Sequence, residues 1–293
     1  MFFMKSENNI EILDLEQGSQ EWLDYRKNYI GASDSYNIMG VGFKTPYKIW
    51  QQKLDLCPPE KETEAMRRGK EKEPVAREEF CKQTGSNIFP LVVKNAKYPF
   101  LLASMDGFCP ITKKGLEIKV PGRKDHESAM DGVIPEKYTW QLLHQMIVCD
   151  LQSIFYFSWN ENSSKIIEFS RDPDIEKAYL EEAAKFWESI QDPVGKPIEP
   201  SDRDYVKKTD EDFLYIEEQW KLAKQMLKES EIIEKTYRDS LISLADNQCC
   251  QGNSVRLTKY ISRGRVDYGA IPELRGVNME QYRKPNTVAW RVS

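Results

Sequence analysis

Residues 116–120 read Leu-Glu-Ile-Lys-Val, and this short run constrains the chain more than any other. In an extended strand residues i and i+2 share a face, so Glu117 and Lys119 project to one side while Ile118 points into the opposite layer. The apolar neighbours Leu116, Ile118 and Val120 support the strand. Eleven residues before Glu117 stands Asp106, in Ser-Met-Asp-Gly, just after a second strand-like stretch at 100–104. Pro110 and Gly115 mark a turn between them, so a hairpin is expected to bring Asp106 beside Glu117. Two carboxylates held that close repel, and a hard divalent cation, Mg²⁺ or Mn²⁺, is the usual relief. Such an ion polarises a phosphodiester oxygen and acidifies a coordinated water. Lys119 would orient or deprotonate that water and offset charge on the phosphate. Taken alone, Glu-x-Lys is more commonly a solvated salt bridge on a strand face.

The surroundings extend the pattern. Residues 69–80 read as a helix with Met66, Glu73, Ala76 and Phe80 on one stripe. A carboxylate on an apolar face is costly without a cation or donors, which marks Glu73 as a third acidic group toward the metal. Capping of a first turn begun at Pro74 is a compatible role. Ser33, after Gly31-Ala32, is placed to cap a short helix whose free N–H groups favour an anion, and Arg26 can add a bidentate contact. On these residues alone, an ordinary N-cap serine and a surface arginine are the simpler reading. In the helix at 138–149, Gln141, His144 and Gln145 form a polar stripe and Leu142, Met146 and Cys149 an apolar one. The polar stripe is either a solvated face or a cleft wall. His144 is read as a hydrogen-bonding neighbour, and His126, in a polar segment, as exposed. With two histidines in the chain, a zinc hydrolase is poorly supported.

Five ordered blocks carry a resemblance. They are Trp22-x3-Arg26-x4-Gly31-Ala32-Ser33-Asp34; Gly69-x3-Glu73-Pro74-x-Ala76-Arg77; Ser104-Met105-Asp106-Gly107; Glu117-Ile118-Lys119; and Trp140-Gln141-Leu142-Leu143-His144-Gln145-Met146. Together, over about residues 17 to 160, they resemble the lambda-type phage exonucleases, specifically the YqaJ-type viral recombinases of the PD-(D/E)xK nuclease superfamily. The resemblance implies a restriction-endonuclease-like α/β core with a central mixed sheet flanked by helices. It implies that Asp106, Glu117 and the Ile118 carbonyl ligate metal, that Glu73 serves a second metal position or its waters, and that Lys119 is the catalytic lysine. Arg26 and Ser33 would bind a terminal 5′ phosphate, Gln141 would hold the reacting strand, and Ser104 would touch phosphate. One departure is the stretch 95–99, which lacks the further acidic residue that lambda-type enzymes can carry about one strand-length before the motif aspartate. The implied activity is digestion of double-stranded DNA ends, 5′ to 3′, leaving a 3′ single strand for a phage single-strand annealing protein. A homo-oligomer, often a trimeric ring, is implied as well. The alternatives are an endonuclease with the same acidic centre and a catalytically silent DNA-end-binding scaffold.

The net charge of −5 runs against phosphate binding, but Arg67-Arg68-x-Lys70-x-Lys72, Lys113-Lys114 and Arg123-Lys124 are expected to flank the site as a basic groove. The chain has no 18-residue apolar run, and residues 1–4 are too short for a signal peptide, so action in the cytoplasm of a bacterial host is expected. Of six cysteines, Cys57, Cys81, Cys109 and Cys149 are read as small buried hydrophobes, and the lack of Cys-x-x-Cys argues against an iron–sulfur nuclease. The nuclease core is expected over 1–192, including strands at 154–159 and 165–169 and a helix with Tyr179, Ala183, Phe186 and Ile190 on one stripe. An extension is expected over 198–293: a helical segment at 210–246, read as a hairpin or docked helix, and a small β module at 252–293. In that module 255–261 and 263–268 are read as a hairpin whose Tyr260, Arg263, Arg265 and Tyr268 pack on the core in preference to contacting DNA.

Overall fold

The computed structural model describes residues 9–109 and 112–287. Residues 1–4, Pro110 of the expected turn and the last six residues of the β module lie outside the described residues. The chain divides between Lys207 and Lys208 into two compact units.

In the first unit, β1 (Ile10–Leu13) leads to α1 (Gln20–Lys27), then β2 (Ile30–Gly31), α2 (Ser35–Ile38) and α3 (Pro46–Lys53). The long α4 (Glu64–Thr84) precedes β3 (Phe89–Asn95), β4 (Tyr98–Cys109) and β5 (Lys114–Lys119). The helices α5 (Arg123–Met130) and α6 (Glu136–Cys149) then cross over to β6 (Ser153–Trp159), β7 (Ser164–Ser170) and α7 (Pro173–Gln191). The sheet runs β1-β3-β4-β5-β6-β7, with β2 added in parallel to β4. β4 and β5 pair antiparallel and β5 and β6 parallel, so the sheet is mixed and flanked by helices, as the resemblance implied.

Alternation along the strands builds a core on each face. Leu116 and Ile118 turn toward Ala76 and Phe80 of α4, joined by Phe157. Met105, Ile154 and Tyr156 pack with Leu142 and Met146 of α6 and Tyr179 and Phe186 of α7. Glu117, between Leu116 and Ile118, is thereby directed to the α6 side.

α4 begins at Thr63, whose Oγ1 accepts the Met66 N–H at 3.2 Å, and runs unbroken through Pro74. This corrects the expectation of a helical turn beginning at Pro74 with Glu73 as its cap: Thr63 supplies the cap and Pro74 sits mid-helix. Met66 is exposed, so the buried stripe is carried by Ala76 and Phe80. Cys109 and Cys149 are buried as expected, whereas Cys57 and Cys81 are only half-buried.

The second unit contains α8 (Glu211–Leu244) and a two-residue ladder of β8 (Cys250–Gln251) with β9 (Arg256–Leu257). α8 is one uninterrupted helix with no buried residue, not a hairpin. Its repeat drifts but never meets a Gly or Pro, so nothing breaks the backbone ladder. The expected strands at 255–261 and 263–268 reduce to the two-residue β9, and Tyr260 and Tyr268 are exposed, not packed on the core. Among the described residues no helix is long and apolar enough to cross a membrane.

Candidate active site

The carboxylates stand where two strands part. The β4–β5 ladder pairs Cys109 with Lys114, Phe108 with Gly115 and Gly107 with Leu116, and ends there. Beyond it the Ile118 N–H donates to Asp106 Oδ2 at 2.8 Å, so a side chain takes the backbone donor. β5 keeps its full pairing to β6, which anchors Lys119 opposite Ser158. Gly107 permits the close packing behind the motif: a Cβ there would fall 2.8 Å from Ile88 Cδ1 and 3.3 Å from Leu116. Asp106 and Glu117 are buried at 6% and 1% exposure, and with Glu73, Lys119 and Gln141 they line a cleft of about 470 Å³.

Glu117 is held on both oxygens. Lys119 Nζ lies 2.5 Å and Gln141 Nε2 2.6 Å from Oε1, while Gln145 Nε2 donates to Oε2 at 2.6 Å and to the Ser104 carbonyl at 3.0 Å. Lys119 also sits over the Tyr138 ring, 5.2 Å from its centroid. From the α4 side, Arg77 Nε donates to the Asp106 carbonyl at 2.6 Å and Nη2 to Glu73. The sequence reading gave no role to Arg77 or Gln145. The i,i+4 spacing of Glu73 and Arg77 was the available signal for the first, and the step from Gln141 to Gln145 for the second.

Three carboxylates thus share two cations. Burial, then Glu117 and Glu73, push the Asp106 carboxyl well above the usual range. Burial also raises Glu73, against the pull of Arg77. For Lys119 burial opposes the charged form, but Glu117 and Asp106 outweigh it and hold the ammonium above its ordinary range. The centre is short of positive charge and rich in oxygen donors, which fits a divalent cation. Among the described residues no three His, Cys, Asp or Glu side chains form a cage of their own. A cation here would rest on Asp106, Glu117, the Ile118 carbonyl and its own waters, a coordination Mg²⁺ accepts.

A second group of residues lines the same cleft. Arg26 Nη2 donates to Ser33 Oγ at 3.0 Å, and its guanidinium lies 4.7 Å from the Trp22 ring centroid. Trp22 Nε1 in turn donates to Ser104 Oγ at 2.9 Å. Arg26 is backed by Asp34 at 3.8 Å, and Asp34 by Lys53 at 2.9 Å and the Gly31 N–H at 3.0 Å. Burial pushes the Asp34 carboxyl up, but the charges of Lys53 and Arg26 and the hydrogen bonds from Lys53 and Gly31 prevail and hold it at about 2. Ser33 does not cap a helix. It lies within a 3-10 turn, Ala32–Asp34, whose cap is Gly31, and it is exposed, with Oγ turned to Arg26. Asp34 and Lys53 were missed: Asp34 adjoins Ser33, but nothing local announces Lys53.

His144 bridges the Tyr179 hydroxyl at 2.6 Å and the Leu102 carbonyl at 3.0 Å. Burial holds it at about 4, with the Leu102 hydrogen bond opposing, so the ring is neutral as expected of a structural neighbour. The polar stripe of α6 is therefore interior at His144 and Gln145. His126 is buried rather than exposed, hydrogen-bonded to Ser158 at 2.8 Å and Ser163 at 2.9 Å, because α5 lies against β6. Of the expected basic clusters, Arg68 lines the cleft. Lys70, Lys72, Lys114 and Arg123 pair instead with Glu62, Glu161, Glu168 and Glu127.

Residues 21–152 match the model of the YqaJ-like viral recombinase domain. An uncharacterized protein YqaJ of Bacillus subtilis (strain 168) is 28% identical over 179 residues, 59% of this chain, and the chain spans 56% of that relative's length. The crystal structure of an alkaline exonuclease, LHK-Exo, from Laribacter hongkongensis superposes with a TM-score of 0.54 at 21% identity, over 60% of this chain and 95% of that one. Its complex with dAMP gives 0.54 at 22% identity, with the same coverage. These likenesses bear out the fold and, over residues 21–152, the resemblance to the YqaJ-like viral recombinase domain that the five sequence blocks carry.

Proposed function

We propose that this chain, a carrier of the YqaJ-like viral recombinase domain, is a Mg²⁺-dependent DNA exonuclease of phage or prophage recombination that degrades one strand from a duplex end, 5′ to 3′, and leaves a 3′ single strand. One observation carries the reading: the acidic centre and the Arg26–Ser33 pair line a single cleft, so a hydrolytic centre and an anion pocket face the same space.

A cation held by Asp106, Glu117 and the Ile118 carbonyl, with Glu73 at its waters, would supply electrophilic activation of the phosphate and a more acidic water. The chain's own groups do the rest. Arg26 and Ser33 grip the terminal 5′ phosphate through charge-assisted hydrogen bonds, with Ser104 beside them, and so set which phosphodiester lies over Asp106. Gln141 and Gln145 fix Glu117, and Gln141 borders the reacting strand. Lys119, already charged, orients the attacking water and offsets charge on the phosphate oxygens. Water oxygen bonds to phosphorus as the P–O3′ bond breaks, so a 5′-mononucleotide leaves and the new end again carries the 5′ phosphate that Arg26 and Ser33 take. Assembly as a homo-oligomer, work in the bacterial cytoplasm and delivery of the 3′ strand to a phage single-strand annealing protein belong to the same reading.

The test incubates the protein and its Lys119→Ala variant with linear duplex bearing or lacking 5′ phosphate, and with closed circular duplex, in Mg²⁺ or EDTA. Mg²⁺-dependent loss of the phosphorylated linear duplex, sparing the circle and absent in the variant, is expected. Cutting of the circle would replace the reading with an endonuclease. End binding without digestion would replace it with a scaffold.

A further inference from the structure

The helix α8 presents a seam that matches its own reverse. Written in heptads with Phe213 at position a, its a and d positions are apolar except at Ser230 and Glu234, and apart from the half-buried Trp220 the side chains are exposed, Ile216 at 62%, Tyr237 at 69% and Leu244 at 83%. We infer that α8 pairs antiparallel with α8 of a second copy of this chain, about a two-fold axis between Lys228 and Glu229.

Two features select this partner and this direction. The first is the seam. In an antiparallel pair a residues face d residues, and here Phe213 meets Leu244, Ile216 meets Leu241 and Trp220 meets Tyr237. The inner layers set Leu227 on Ser230 and the small Ala223 on Glu234, so no polar seam residue faces another. An isologous two-fold contact needs this self-complementarity, whereas a helix docked on an unrelated surface does not.

The second is charge. The flanking e positions hold Glu217, Lys224, Glu231 and Arg238. In an antiparallel pair e faces e, which brings Glu217 to Arg238 and Lys224 to Glu231, each twice by symmetry. In a parallel pair g faces e of the next heptad, which sets Asp212 against Glu217 and leaves the other three charges opposite neutral residues, while Glu234 meets Glu234 in the seam. The charge pattern is thus attractive one way and repulsive the other. In the single helix Glu217 pairs with Lys221 and Arg238 with Glu234 across one turn. Both pairs are exposed and can be exchanged at little cost.

The full chain is measured by light scattering and analytical ultracentrifugation, with circular dichroism as the folding control. The joint Ile216→Asp and Leu241→Asp variant is expected to halve the assembled mass, whatever number of copies the first unit gathers, with helicity largely kept. Glu217→Lys or Arg238→Glu alone turns two attractive pairs repulsive and is expected to weaken association about tenfold. The two together restore it. Lys224→Cys with Glu231→Cys, placed in a Cys249→Ser and Cys250→Ser background, is expected to cross-link two copies on oxidation, since e faces e only in the antiparallel pair. An unchanged mass in the seam variant overturns the inference, as does a charge swap that fails to restore association. Cross-linking by Ile216→Cys in place of that pair would overturn the antiparallel direction, since residue 216 faces its own copy only in a parallel pair.

Discussion

Asp34 backs Arg26 without facing the cleft's chemistry, and replacing it by Asn tests the anion pocket. The substitution keeps the side chain's size and an oxygen for the Gly31 N–H while removing the charge that Arg26 and Lys53 share. The carboxyl stands at about 2 against an ordinary 3.8. At ~1.4 kcal/mol for each tenfold change in proton affinity, this amounts to about 2 kcal/mol of native stability. Loss of a partner from a buried pair costs about 3–5 kcal/mol, but Lys53 retains bonds to the Tyr29 carbonyl at 2.6 Å and the Arg26 carbonyl at 3.3 Å. The expected loss is therefore about 2–3 kcal/mol, read from urea unfolding at pH 7. A depressed carboxyl contributes fully above pH 3.8 and loses its contribution as pH falls toward 2, so the gap between wild type and Asp34→Asn should close across that window. His144, held at about 4 by burial with Asp34 and Lys53 among the charges that act on it, withdraws its contribution as pH falls from 6.5 to 4, above the window in which Asp34 titrates. In the digestion assay the preference for 5′-phosphorylated ends should fall as Arg26 loses its backing. A loss below ~0.5 kcal/mol at pH 7, or a gap that does not change with pH, would refute the electrostatic account of this network.

Asp106→Asn should stabilise the metal-free protein while ending digestion. The raised carboxyl costs nothing below its unfolded value of 3.8, and its cost grows as pH rises through the folded value, so in EDTA the variant's Tm advantage should appear at pH 8 and vanish near pH 4. Mg²⁺ at a hundred times its Kd should stabilise wild type by about 2.7 kcal/mol through preferential binding to the native state, measured as a Tm rise that Glu117→Gln abolishes. Arg77→Met strands the Asp106 carbonyl and Glu73 and should cost about 1–3 kcal/mol in urea unfolding; no change would show that Arg77 ties nothing together.

The residues of the acidic centre were legible because strand geometry is local: a period of two puts Glu117 and Lys119 on one face whatever surrounds them, and the strands flanking a short turn bring Asp106 near. The apolar stripes of α4 and α7 were legible for the same reason, since Ala76 with Phe80 and Tyr179 with Ala183 obey a helical repeat. What failed to show was every partner fixed by distance in the chain. His126 reads as solvated among charged neighbours, yet it is buried because β6 and the turn after it bring Ser158 and Ser163 to its ring. Most of the basic runs read as a groove until α4 and β5 meet the acids that occupy them. Lys53 joins Asp34 and Arg26 only once α3 folds back. Sequence periodicity thus determined which residues share a face. Tertiary structure decided which charges are spent on one another and which stay free for a ligand, because pairing depends on separations of a few ångströms that the order of residues does not set.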